Sequence, residues 1–191
     1  MKKDKILIVI SFIFVIFVVI GACLNKFEGD NLLSVSNKIE NLSSYYNSDI
    51  NIKDLILLNI KEYIRYLGLI GILSLLFFTF PIAVLIFVFK AISIGYSVNI
   101  CVLLLGFKSI KMILIIFLKN IIIIPVSIIL MVLSIEYIKN IFKQLKKKRQ
   151  DSILSLGKKF LLNLIIIIFI SVILQSLLNI IGMSIIQFLA R

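Results

Sequence analysis

"GLIGILSLLFFTFPIAVLIFVFKAISIGYSVNICVLLLGFKSIKMILIIFLKNIIIIPVSIILMVLSIEY", residues 68–137, decides the fold, because in seventy residues only Lys90, Lys108, Lys111, Lys119 and Glu136 carry charge. A soluble chain of 191 residues cannot keep water off so much Ile, Leu, Val and Phe. A helix crossing lipid needs about 20 apolar residues, so three such helices fit within this run. Pro81, Lys90, Gly95, Gly106 and Pro125 punctuate it. The fold class that follows is all-α: a polytopic integral membrane protein forming one domain over residues 1–191.

Composition agrees. Hydrophobic residues make up 61% of the chain and the mean hydropathy is +1.17, against about half apolar content in soluble domains. The net charge of +12 does not point to nucleic acid, since no segment is both basic and long enough to fold as a soluble domain. The chain has no His, which removes the commonest general base and metal ligand. It also lacks a GKS/T phosphate loop, a CxxC pair and a carboxylate pair. We therefore expect no enzyme activity, no cofactor and no metal. Cys23 and Cys101 both lie in apolar runs far apart in the chain, which argues against a disulfide or a metal pair.

From Ile6 to Leu24, nineteen residues carry no charge, enough at about 1.5 Å per residue to cross the hydrocarbon. This is the first predicted span, 6–24. Its end, Ile20-Gly21-Ala22-Cys23, has the small-small-Cys form of a lipoprotein cleavage site, but an uncleaved anchor is the simpler reading because further spans follow. Residues 25–64 form the one long polar segment; from Asn25 to Arg65 there are five basic and six acidic residues, a balance suited to the outer side. Within it Leu32, Val35, Ile39 and Leu42 recur at helical spacing, and Ile52, Leu55, Ile56, Ile60 and Ile64 do so again, predicting two short amphipathic helices. The first stripe is the candidate partner-binding surface.

Span two is predicted over 65–89, bent near Pro81 and ending at Lys90; span three over 91–105, where Ala91, Gly95 and Asn99 recur every fourth residue as a face for close helix contact. A re-entrant hairpin from Pro81 to Gly95 is the alternative. Span four is predicted over 112–137 with Lys119 and Asn120 embedded in it. Since a charge at that depth is costly, the preferred reading starts the span near Asn120 and leaves Lys119 at the interface; otherwise Lys119 faces a wet cavity or a partner charge. Glu136, the acid closest to a span on this reading, pairs with Lys139 or Lys143. The segment 138–159 holds eight basic residues and one acid, Asp151, which makes it the cytoplasmic loop and a surface for anionic lipids. The last span, 160–182, presents Ser171, Gln175, Asn179 and Gly182 on one face, expected to look at other helices; Met183 to Arg191 is expected to finish that span or to lie along the outer surface. The resulting topology has the N-terminus inside, five crossings and the C-terminus outside.

Two segments carry a family resemblance. "FKAISIGYSVNICVLLLGFKSI" resembles the Lys-Gly-x-x-x-Gly-Phe-Thr segment of the stage II sporulation protein M family, and "FLKNIIIIPVSIILMVLSIEY" resembles its Pro-Gln-Asn-Leu-x-x-x-Pro segment. Lys90, Gly95, Asn120 and Pro125 match position by position, and Asn59 in "LLNIKEYIRYLGLIG" fits the Asn before the second span. Ala91 stands where the family has glycine, Leu118 where it has proline and Lys119 where it has glutamine. The resemblance implies a multi-pass protein of the bacterial cell membrane on the mother-cell side of the sporulation septum. It implies a non-enzymatic scaffold of engulfment that anchors and localises two peptidoglycan hydrolases, a lytic transglycosylase and an amidase/endopeptidase. The competing reading is a membrane subunit of a transporter or channel built around Lys90, Lys119, Asn120 and the two prolines.

Overall fold

A computed structural model describes residues 3–24, 52–105, 109–146 and 150–190. Among these residues the chain is helical: α1 (Lys3–Leu24), α2 (Ile52–Leu75), α3 (Phe80–Leu105), α4 (Ser109–Asn120), α5 (Ile123–Lys146) and α6 (Gln150–Ala190). Lipid offers no partner to a free N–H or C=O, so apolar segments satisfy their backbone by folding as helices. Among the described residues four stretches are long and apolar enough to cross a membrane: Asp4–Leu24, Phe80–Leu103, Ile116–Lys146 and Ile153–Asn179. The helix α2 is long enough too, but it carries five charged residues, Lys53, Asp54, Lys61, Glu62 and Arg65.

Side-chain contacts give the directions. Phe14 packs on Phe87 with ring centroids 5.3 Å apart, and further along the same two helices Asn99 Nδ2 donates to the carbonyl of Ala22 at 2.6 Å, so α1 and α3 are parallel. A short turn returns α2 onto α3. Tyr137 stacks on Phe160 at 4.4 Å, while Gln175 reaches Ile122 about four turns away along both, so α5 and α6 are antiparallel. With α4 and α5 running on as one stretch across their break, the helices therefore alternate up and down. Lys3, Lys5 and the basic ends of α5 and α6 share one side of the bundle; the ends of α1 and α3 share the other with the start of α2.

The core runs through the middle. On α2 it is Tyr63, Leu67, Ile70 and Ser74, each essentially inaccessible; Ala83, Phe87 and Ala91 continue it on α3, and Ile123, Ser127, Leu130 and Ser134 on α5. The buried serines return their hydroxyls to their own helix, as in Ser74 to Ile70 O at 2.6 Å and Ser134 to Leu130 O at 2.7 Å, which satisfies these donors without a partner from lipid. The opposite faces are bare hydrocarbon, with Phe12, Phe89, Ile165 and Phe169 exposed. Without water there is no hydrophobic drive between helices, so association rests on close packing and interhelical hydrogen bonds. The tightest place is α1 on α3: a Cβ added to Gly95 would strike the Val18 carbonyl, and one added to Gly21 would strike the Ile92 carbonyl.

The helix ends correct several sequence expectations. Spans two and three were expected to divide at Lys90, with Pro81 a bend inside the former; they divide instead at 76–79. Pro81 stands in the first turn of α3, where its missing N–H costs no hydrogen bond. Thr79 joins the two helices, its hydroxyl donating to Leu73 O at 2.6 Å and Leu76 O at 3.0 Å while its carbonyl accepts from Ile82 and Ala83. Lys90 is consequently mid-helix, and the Pro81–Gly95 segment is continuous helix, not a re-entrant hairpin. The second amphipathic stripe is the first half of α2, whereas the first, Leu32 to Leu42, lies outside the described residues. Span four is two helices, α4 and α5, broken at Ile121-Ile122. The basic segment 138–159 is largely the ends of α5 and α6, and α6 continues unbroken to Ala190. Cys23 and Cys101 are free thiols.

Candidate functional site

The break between α4 and α5 gathers the polar residues. Pro125 has no N–H to return to the Ile121 carbonyl, so the helix cannot continue unchanged through this point. Three backbone groups at the break, Leu118 O, Lys119 O and the Ile122 N–H, are met from neighbouring helices. Gln175, on α6 and fully buried, donates from Nε2 to Leu118 O at 2.7 Å and accepts at Oε1 from the Ile122 N–H at 3.0 Å. Tyr63, on α2, donates its hydroxyl to Lys119 O at 3.2 Å and accepts from Asn179 Nδ2 at 3.0 Å. Gln175 Nε2 also donates to Asn179 Oδ1 at 3.0 Å, closing a ring of α2, α4 and α6. Asn120 Nδ2 ties back to Ile116 O at 2.8 Å.

Beside the break stands a charge cluster. Glu62 on α2 meets Lys119 at 2.9 Å through Oε2 and Lys90 at 3.7 Å through Oε1. The first is short enough for a charge-assisted hydrogen bond. Lys90 also sits 5.4 Å from the centroid of the Tyr66 ring, within cation–π range. Lys119 occupies the last turn of α4, where the carbonyl end of the helix favours a cation. One carboxylate thus serves two ammonium groups.

Of the residues singled out from sequence, the structure brings Lys90 and Lys119 together through Glu62, and places Asn120 and Pro125 on the two sides of the break. Ala91 and Gly95 are buried on α3, with Gly95 against α1. Asn59 is half-buried on α2, one turn before Glu62. Lys119 is ion-paired, with Glu62, and lies three residues inside the edge of the Ile116–Lys146 stretch. The acid that pairs with it, Glu62, was assigned to the outer segment, and Tyr63 and Tyr66 were not singled out. Their signal was present, since Asn59, Glu62, Tyr63 and Tyr66 follow spacings of three, one and three, a polar face leading into the apolar Leu67 and Ile70.

Gln175→Leu provides a direct check on the break. It leaves Leu118 O and Ile122 N–H without their partner in lipid, with an expected loss of about 1–3 kcal/mol in reversible unfolding by SDS in mixed micelles. Leu177→Ala, on the exposed face of the same helix, is expected to change stability by less than half as much. Equal losses would mean that Gln175 does not hold the break.

Such a bundle, with four spanning stretches among the described residues around a helix break braced by its neighbours, is an all-α polytopic membrane protein. Residues 6–178 match the family model described as stage II sporulation protein M, and the chain belongs to that family of sporulation membrane proteins. No curated protein and no solved structure matches it. Among the described residues no three His, Cys, Asp or Glu side chains are grouped so as to hold a metal ion.

Proposed function

We propose that the protein is a non-enzymatic membrane scaffold of the engulfment machinery, anchoring and localising peptidoglycan hydrolases at the septal and engulfing membrane. The partners proposed are a lytic transglycosylase and an amidase/endopeptidase, with anionic lipids at the basic side. The family match over 6–178 is the observation that carries this reading. The bundle supports it, because alternation of the helices returns α1 and α2 to one side and so presents the segment between them there. The positive-inside rule assigns the opposite side, with Lys3, Lys5 and the basic ends of α5 and α6, to the cytoplasm. The segment 25–51 then faces exported enzymes.

The test is to break the stripe with Leu32→Asp plus Ile39→Asp in sporulating cells. The hydrolases are expected to lose their septal position and engulfment to stop, with the protein still in the membrane. Normal hydrolase position in that variant would sink the reading. A transporter or channel subunit has one observation in its favour, the paired lysines beside a broken helix within the bundle; solute or ion flux in vesicles carrying the purified protein, lost on Lys119→Met, would put that reading ahead.

A further inference from the structure

Glu62 and Lys119 stand near the outer edge of the bundle. Lys119 lies three residues inside the edge of the Ile116–Lys146 stretch, about 4.5 Å along the helix. Asn179, joined through the Tyr63 hydroxyl to the Lys119 carbonyl, is the outer limit of the Ile153–Asn179 stretch. Lys61 and Arg65, within a turn of Glu62 on α2, are exposed. Four basic side chains, Lys61, Arg65, Lys90 and Lys119, thus gather around one carboxylate, and the next acid on α2, Asp54, is two turns further out. The cluster has a surplus of three positive charges. Basic residues are ordinarily gathered on the cytoplasmic side, so orientation does not account for a surplus on the opposite one.

The surface beneath the cluster narrows what it can hold. Lys61, Arg65, Leu69 and Ile72 follow at spacings of four, four and three, which puts them on one face of α2, and all four are exposed. The outer part of that face is basic and the part toward the bilayer centre is bare hydrocarbon. A phospholipid presents its headgroup phosphate and acyl chains in the same order. Side chains lean toward the N-terminus of their helix, and α2 and α4 both run inward from the outer side, so Arg65 and Lys119 lean toward the headgroups. Stems of that length keep a charge at the interface from a few ångströms below it. Glu62 is engaged by Lys119 at 2.9 Å and Lys90 at 3.7 Å, and Lys119 is the more open of the two lysines, at 37% exposed against 21%. An acidic segment of a water-soluble protein would match the charges but gain nothing from Leu69 and Ile72.

We propose that the face of α2 bearing Lys61 and Arg65, together with Lys119, binds an anionic phospholipid of the outer leaflet, its phosphate held by Arg65 and Lys119 and its acyl chains lying on Leu69 and Ile72. Guanidinium and ammonium groups are the side chains suited to phosphate oxygens. The site is on the side opposite the basic ends of α5 and α6, and it does not depend on the scaffold reading.

The chain has no Trp, so Leu69→Trp supplies a single fluorophore beside the site. Ile173→Trp is the control: Ile173 is exposed on α6 and lies six residues inward of Asn179, as Leu69 does of Tyr63, its hydrogen-bond partner. The full chain carrying either reporter is placed in vesicles of phosphatidylcholine and phosphatidylglycerol, with one lipid at a time bearing brominated chains, and quenching gives the relative affinity of the two lipids at each position. Phosphatidylglycerol is expected to be preferred about fivefold or more at position 69 and to show no preference at position 173. Lys61→Gln plus Arg65→Gln, which leaves both ion pairs of Glu62 in place, is expected to bring the ratio at 69 down to that at 173, and Lys119→Gln to lower it as well. Equal ratios at the two reporters overturn the proposal, as does a preference at 69 that survives the double substitution. Loss of the preference on adding inorganic phosphate, but not chloride at equal ionic strength, would make a free phosphate the occupant, and loss on adding soluble polyglutamate would make it an acidic protein segment; either result overturns the proposal.

Discussion

Replacing Gly95 by Leu is expected to cost about 3 kcal/mol and to leave little folded protein in the membrane, because the new side chain has nowhere to go. A Cβ at this position already runs into the Val18 carbonyl, with the Ala22 nitrogen 3.0 Å away. Both obstacles are backbone, which cannot rotate aside as a side chain can. Relief requires α1 to move off α3, and with it goes the hydrogen bond from Asn99 to Ala22 O and the packing of Phe14 on Phe87. In lipid that separation has no hydrophobic penalty to resist it, since the uncovered surface meets acyl chains. Unfolding in SDS-containing micelles and the yield of membrane-inserted protein measure the effect. Leu103→Ile, on the lipid-facing side of the same helix, is the control. If the two variants are equally stable, α1 and α3 are not in contact.

Glu62→Gln is expected to be nearly as damaging. It leaves Lys90 and Lys119 facing each other with no anion between them, and an uncompensated lysine at the centre of a span costs about 2.5–3.5 kcal/mol on insertion scales. Because the cluster is partly open, an overall loss of about 2–3 kcal/mol is expected. The triple variant Glu62→Gln, Lys90→Met, Lys119→Met removes every charge at once, and is expected to recover stability to within about 1 kcal/mol of the native chain, as replacing a whole buried ionic group by apolar residues often does. A single variant as stable as the native chain would show that the ion pairs do not form in the bilayer. A stable triple variant that fails to support engulfment would assign the cluster a role in function.

Both substitutions also show how differently the sequence reports its parts. The spacing of Ala91, Gly95 and Asn99 selects one face of one helix, and local periodicity is enough to find it. Glu62 is different. An isolated charge in a sequence reads as the end of a span, because a lone charge in hydrocarbon is too costly to leave there. On that logic Lys90 closed a span, Glu62 was left outside the membrane and Lys119 was moved to the interface. Once the three meet, the Glu62 carboxylate offsets part of the cost of both lysines, so Lys90 can stand in mid-helix.

The sequence by itself determined that the chain is all-α and lies in the membrane, since lipid leaves an apolar run little alternative to a helix. It also determined which segments are basic and which nearly neutral, and the residues that place the chain in its family. Only the tertiary structure decided where the helices end. Thr79 and the first-turn position of Pro81 divide α2 from α3, and Gln175 and Tyr63, distant in sequence, make the break before Pro125 tolerable. The reason is physical: a helix boundary inside lipid is permitted only where other helices satisfy the backbone it frees, and those helices are supplied by residues more than fifty positions away.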